Sequence, residues 1–328
     1  MKYFFKVFII AFIGFTLVAG VGLYAYFSFF HTAEAEDNME DRREELSKEE
    51  IENLPPFEKA IATSNRVNAL LIGLEREGRS DTLIFASFDP DTKSVDMISI
   101  PRDTYYYVRG YDAADNRKLN AVYIRNLKDG HDVAANKTTD VVEEILGVPI
   151  DYYATISYDG VKNIVDSLGG VKIDVPQDME YDHIYSNGKA EKKVLRKGTQ
   201  TLDGAQAVGF LRFRKGYSNG DIGRVEAQQK FIKAAMKKAL GFSLPKVATT
   251  AIKEVDTNMD ILDITSNATK AIGMNMEDIN THVLPGEAES MTFDGWTLSY
   301  FVHDSEKIKE LMKEIYDVKE ESEENTNE

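Results

Sequence analysis

The chain has 328 residues and not one cysteine. Disulfides, thiolate nucleophiles and cysteine-ligated zinc are thereby excluded. Its five histidines, His31, His131, His183, His282 and His303, are scattered, with no HExxH or comparable spacing. A histidine-based metal site is not expected. Positive charge is scarce as well. Thirty-nine Lys and Arg face 55 Asp and Glu, for a formal net charge of −16. Nucleic-acid binding rests on neutralising phosphates, so this balance offers it little. The acid is unevenly spread: residues 31–56 hold ten acids against three bases, and residues 318–328 five against one. Setting these two pieces and Lys2 and Lys6 aside leaves about −7 for residues 57–317. An anion site in that stretch must be a local one.

Charge is missing altogether from residues 7–30, "VFIIAFIGFTLVAGVGLYAYFSFF". At about 1.5 Å per residue, a helix of this run spans the roughly 30 Å hydrocarbon core of a bilayer. Lys2 and Lys6 precede it and a mostly acidic stretch follows. The positive-inside rule then puts residues 1–6 in the cytoplasm and the rest of the chain outside. Ala33-Glu34-Ala35 resembles a signal-peptidase site. The apolar run is far longer than the roughly 7–15 residues of a signal h-region, which favours an uncleaved anchor. The expected protein is single-pass, type II, with its folded part extracellular on the cell membrane.

Residues 31–60 are highly charged and reach Pro55-Pro56, the composition of an acidic stalk. Residues 318–328 read as a disordered acidic tail. Between them, 61–317 alternates strand-like and helix-like patterns. "VNALLIG" (67–73), "DTLIFASFD" (81–89), "SVDMISIP" (94–101), "YYATIS", "VKIDV" and "AVGFLRFR" predict strands. Residues 138–147 and 158–170 predict helices ending at glycines, and 223–241, 244–255 and 305–317 predict three more. The expected fold is α/β: a central mixed β-sheet sandwiched by α-helices, preceded by one transmembrane helix. No internal repeat is present.

Two clusters carry chemistry. The first joins apolar strands through "GLEREGRSDT" (73–82), which brings Glu75, Arg79 and Asp81 to one end of the sheet. An antiparallel second and third strand would return Arg102 and Asp103, of "ISIPRD", to that same rim. The second cluster is "FLRFRKGYSNGDIGRVEAQQ" (210–229). Arg212 and Arg214, two apart on a predicted strand, would project from one face. Arg224 and Gln228, four apart on the next helix, share a side. Arg224 also falls in the first turn, where the helix dipole favours an anion. Unpaired charge among apolar neighbours is costly. The planar guanidinium suits phosphate better than an ammonium does.

These residues resemble a known family. "NALLIGLEREGRSDTLIFASFDPDTKSVDMISIPRDTYY", "KLNAVY", "DSLGGVKIDV", "TLDGAQAVGFLRFR" and "DIGRVEAQQ" look, in order and spacing, like the LytR-CpsA-Psr family of Gram-positive cell-envelope proteins. The resemblance runs from about residue 66 to 240. It implies a phosphotransferase that moves a glycopolymer, such as wall teichoic acid or capsular polysaccharide, from an undecaprenyl-pyrophosphate carrier to peptidoglycan. The usual acceptor is the C6 hydroxyl of N-acetylmuramic acid. By motif, Arg79, Arg102, Arg212, Arg214, Arg224 and Gln228 fall on pyrophosphate-holding positions. Asp81 and Glu75 fall on the positions for Mg²⁺, or Mn²⁺ in its place. The family usually has aspartate where this chain has Glu75, one methylene longer. Arg102 is the expected catalytic residue, and Asp103 is either the base or the group that orients Arg102. Two rival readings are a non-catalytic envelope regulator and a lipid-pyrophosphate hydrolase.

Overall fold

The computed structural model describes residues 47–75, 78–184, 189–213, 216–217, 221–239, 250, 253–260, 263, 266–267, 270–271 and 278–318. The anchor expected at 7–30, the segment before it, residues 31–46 and the tail from 319 lie outside these. Among the described residues no helix is long and apolar enough to cross a membrane.

In chain order the elements are α1 (Lys48–Glu52), α2 (Pro56–Thr63), β1 (Val67–Leu74), β2 (Ser80–Asp89), β3 (Ser94–Ile100), α3 (Asn120–Asn126), α4 (His131–Leu146), β4 (Tyr152–Ser157) and α5 (Tyr158–Ser167). There follow β5 (Val171–Val175), β6 (Met179–Ile184), β7 (Ala190–Leu195), β8 (Gly198–Leu202), α6 (Gly204–Arg212) and α7 (Asp221–Ala239). The last are β9 (Val255–Thr257), β10 (Ile279–Val283), β11 (Gly286–Phe293), β12 (Trp296–His303) and α8 (Ser305–Ile315).

Six strands form one sheet in the order β10-β3-β2-β1-β4-β9. The three strands read from the first apolar runs pair antiparallel at its centre, β1 with β2 and β2 with β3. Parallel neighbours flank them, β10 beside β3 and β4 beside β1. The sheet is therefore mixed, as expected. Leu83 lies opposite Ile100, so the end of β3 returns to the start of β2.

Side chains alternate across this sheet. Leu83, Phe85, Ile98 and Ile100 join a core closed by α2, α3, α4 and α8. Ile84, Phe88, Val95 and Met97 join a second core beneath α5, α6 and α7. Two layers of helices thus enclose the sheet. Phe57 of α2 is buried in the first core, with its ring edge-on to Tyr316. The helix expected to end at Gly147 does so, in a left-handed C-cap at φ +70° that glycine adopts without strain.

One strand expectation fails where it matters. "AVGFLRFR" is not a strand: Gly204–Arg212 is helix α6. Its start is a capping box, in which Asp203 accepts from the Gln206 backbone and the Gln206 side chain reaches back to the Asp203 N–H. Ala207, Phe210 and Leu211 then share the buried face. Gly209 lets the helix press on β6, because a Cβ there would lie 2.4 Å from the Tyr181 ring. Arg212 consequently sits in a last helical turn, not on the strand expected to carry it. Of the helix expected over 244–255, residues 250 and 253–254 are helical, and 244–249 and 251–252 lie outside the described residues. Val255 opens β9, which is edge-paired to β4.

Candidate active site

The site begins at the proline that ends β3. The Pro101 carbonyl accepts from both the backbone N–H of Thr104 (3.0 Å) and its hydroxyl (2.6 Å). That turn sets Arg102 and Asp103 at its corner. Their backbone is held from outside: Asn120 N–H donates to the Arg102 carbonyl at 3.0 Å, and Phe301 N–H to the Asp103 carbonyl at 2.9 Å. The corner is fixed before any ligand arrives, which is what electrostatic catalysis needs.

Arg102 and Asp81 make a direct ion pair between Nη1 and Oδ1. Asp81 is 6% exposed and Arg102 12%. Glu75 Oε1 lies 4.0 Å from the same Nη1. Arg224, only 2% exposed, brings its own Nη1 to 3.9 Å from Asp81 Oδ1. The other oxygen of Asp81 accepts from the Tyr158 hydroxyl at 2.7 Å. Burial, together with the Asp81 charge and this bond, pushes the Tyr158 phenol far above its ordinary range. It therefore remains a donor to the carboxylate at any physiological pH.

Helix α7 supplies the remaining wall. Arg224 and Gln228 share its buried side, as their spacing predicts. Gln228 donates to the Leu211 carbonyl at 3.2 Å, tying α7 to α6, and Gln229 donates to the Ser99 hydroxyl at 2.7 Å. A narrow cleft, with room for about one water, runs between β2, β3 and α7. Asp81, Thr82, Ser99, Arg102, Arg224, Gln228 and Gln229 line it.

The other expected residues are placed less centrally. Arg79 turns away, donating to Asp115 at 2.9 Å and to Asn120 at 3.4 Å. Arg212 stacks on Tyr158, 5.3 Å from the ring centre, one side chain removed from Asp81. Asp103 lies 3.9 Å from Arg102 Nε and 3.1 Å from Lys118 Nζ. Arg214 falls outside the described residues. Tyr158, Lys118 and Gln229 were not singled out from sequence. "KLNAVY" carried Lys118 as part of a motif, but its pairing with Asp103 depends on a fold-back of fifteen residues.

The residues fit a hard divalent cation. Asp81 and Glu75, from two ends of one loop, converge on a single cationic nitrogen of Arg102. Among the described residues no group of three or more histidines or acids forms a ready-made metal centre. Mg²⁺ does not require one: it is commonly held by one or two carboxylates with water and substrate phosphates. An all-oxygen pair beside guanidinium groups is such a donor set.

Comparison with known proteins adds an independent line. The family model described as the LytR_cpsA_psr family matches residues 23–317. A polyisoprenyl-teichoic acid–peptidoglycan teichoic acid transferase of Bacillus mycoides, TagU, is 32% identical over 310 residues, covering 91% of this chain and 92% of the relative. The transferase TagV of Bacillus subtilis is 28% identical over 321 residues, covering 92% and 76% respectively. The crystal structure of B. subtilis TagV superposes with a TM-score of 0.60, covering 79% of this chain and all of that one.

Proposed function

We propose a transferase function from a plain premise: the chain belongs to the LytR-CpsA-Psr family. It moves a glycopolymer, with its phosphate, from an undecaprenyl-pyrophosphate carrier to peptidoglycan, forming a phosphodiester. The relatives' names support transfer of teichoic acid to peptidoglycan. The observation that carries the reading is the cleft in which Arg102 and Arg224 both approach Asp81. Two guanidinium groups converge there on one buried carboxylate, with Glu75 and Asp103 also near Arg102, so phosphate oxygens entering the cleft would meet two preorganised charged donors.

Arg224 and Arg102 bind the pyrophosphate, with Arg79, Arg212 and Arg214 as further residues for it. Gln228 keeps α6 and α7 in register so that Arg224 stays aimed at the cleft. The acceptor hydroxyl oxygen bonds to the phosphorus attached to the polymer's first sugar. The P–O bond to the bridging oxygen breaks, and undecaprenyl phosphate leaves with that oxygen. Asp103, beside Arg102, accepts the hydroxyl proton or holds Arg102 against the developing charge. Mg²⁺, or Mn²⁺, held by Asp81 and Glu75 would supply Lewis-acid neutralisation of phosphate charge. The carrier's apolar tail lies against the sheet face beneath α5, α6 and α7. There Leu71, Ala86, Val161, Ile164 and Phe213 pack on the core yet remain only half-buried. Residues 7–30 anchor the chain in the membrane where that carrier resides, with the catalytic domain outside.

The test is direct. Full-length protein in detergent is given a lipid-linked donor with labelled polymer, with and without peptidoglycan. Transfer places label on peptidoglycan in a Mg²⁺-dependent way. Free polymer phosphate in equal amounts with and without acceptor makes the protein a hydrolase, and no turnover at all leaves the regulator reading.

A further inference from the structure

We infer that the tip of the β11–β12 hairpin and the loop 103–118 form a glycan-binding platform that seats the acceptor strand. The inference rests on the proposed transfer to a sugar polymer and names the surface that recognises it. Trp296 is the chain's only tryptophan and is 72% exposed. It pairs with Phe293 across a tight turn whose two central residues, Asp294 (φ +50°) and Gly295 (φ +77°), are both left-handed. Directly opposed residues of a hairpin share one face. On that face Phe293 stacks on Tyr105 at 5.7 Å and meets Tyr300 edge-on at 5.6 Å. The Arg117 guanidinium lies between two rings, 4.2 Å from Phe293 and 4.4 Å from the exposed Tyr107.

This platform is continuous with the proposed site. Lys118 Nζ sits 5.2 Å from the Tyr300 ring and 3.1 Å from Asp103, which lies beside Arg102. The α6–α7 side of the cleft is the one given to the donor's apolar tail. The platform flanks the other side, next to the residue that would meet the acceptor hydroxyl.

Its chemistry favours sugar over other occupants. Rings alternate with hydrogen-bonding groups. The Tyr107 hydroxyl donates to Asp112 at 2.8 Å, and Arg117 Nε donates to the Asp112 carbonyl at 3.0 Å. Hexose rings offer C–H faces for aromatic π surfaces and a rim of hydroxyls and amides for such polar groups. A protein partner prefers a patch whose centre is depleted of charge. Anionic lipid prefers clustered lysine and arginine, whereas this hairpin exposes Glu287 and Glu289.

Because tryptophan occurs once, emission from the full-length chain reads this surface alone. Titration with N-acetylglucosamine oligomers and with muramidase-released peptidoglycan fragments is expected to give a saturable emission change. Trp296→Ala should raise the KM for peptidoglycan about tenfold, Tyr107→Ala should raise it several-fold, and Trp296→Tyr should recover part of the loss. Val194→Ala, exposed on β7, should leave KM unchanged. If neither sugar moves the emission while vesicles or rising protein concentration do, the platform is a lipid or self-association surface and the inference falls. Transfer that proceeds with unaltered KM in both alanine variants also removes it and leaves the transferase standing. Sugar binding without any transfer by the wild type sinks the transferase and leaves the platform.

Discussion

Each end of the central sheet buries an arginine–aspartate pair, and the two pairs are built for different ends. At the start of β1 and β3, Arg66 and Asp96 meet at 3.0 Å, both nearly buried. Asn280 donates to Asp96 at 2.9 Å, His282 lies 3.6 Å away, and the Ser87 hydroxyl accepts from Arg66 at 3.2 Å. No lining residue of the cleft belongs to this group. At the opposite end, Asp81 is approached by two arginines, and the cleft opens beside all three. A charge pair held by Asn280, Ser87 and a second carboxylate, Asp89 at 4.0 Å from Arg66, holds strands together. A pair approached by a second arginine at the edge of a cleft is, on the proposed reading, where an anion would enter. Burial of an ion pair alone says little about stability or function; what surrounds it decides.

Removing one arginine from each end gives the largest expected contrast. Arg102→Ala should lower polymer transfer by about 10³-fold or more, the scale of losing a preorganised charge donor at a phosphoryl site. Its melting temperature should stay near wild type, because Asp81 keeps Tyr158 and Arg224 as neighbours. Arg66→Ala should instead cost about 3–5 kcal/mol of stability by stranding Asp96 without its cation. Transfer per folded molecule should be retained. Transfer assays and denaturant titrations on both variants settle it: a collapsed Arg102→Ala fold, or an inactive but stable Arg66→Ala, erases the distinction.

Tyr158→Phe sharpens the same comparison at lower amplitude. The hydroxyl is the neutral donor that the cleft end does possess, and a hydrogen bond to a charged group contributes roughly 1.5–3 kcal/mol. Transfer should fall by about tenfold, with the Mg²⁺ concentration for half-maximal activity displaced, because Asp81 loses the bond that orients its second oxygen. An Asp81→Ala protein should lose its Mg²⁺ response altogether. Identical Mg²⁺ titrations of wild type and Tyr158→Phe would remove the tyrosine from this role.

Much of this was legible in sequence, for local reasons. The strands at 67–101 announce themselves by apolar runs and by the polar turn between them. Register then brings Arg102 back to Asp81 once the antiparallel pairing is assumed. The end of α4 was written at Gly147. Helix α6 was misread because Ala207, Gly209, Leu211 and Phe213 mimic a period of two. Its capping box, Asp203 with Gln206, stood in plain view and outweighs that alternation. Tyr158 and Arg66 gave no such signal. Their partners lie 77 and 30 residues away, and only strand order joins them. The structure brings Arg102, Asp81, Arg224 and Glu75 close together because each lies at or near the end of an element. Arg79 and Arg212 were displaced by contacts that local patterns do not encode.

The smallest expected effect tests the sealed end through acid. Burial on its own would raise the Asp96 carboxyl, but the nearby His282 ring, the Asn280 hydrogen bond and the Arg66 charge outweigh it and hold the carboxyl below its usual value. A group depressed in the folded state contributes stability above its unfolded pKa of about 3.9. That contribution is lost as pH falls through the lower folded value. Wild-type melting temperature should therefore drop steeply below about pH 4. Asp96→Asn should melt lower at neutral pH, since Arg66 loses its counter-charge, yet show a shallower acid limb. Melting curves from pH 7 down to 2.5 compare the two slopes. Parallel acid limbs would mean that Asp96 does not carry the acid dependence of this end. The contrast would then rest on the cleft alone, because a sealed pair that can be protonated without cost is not what holds the strands.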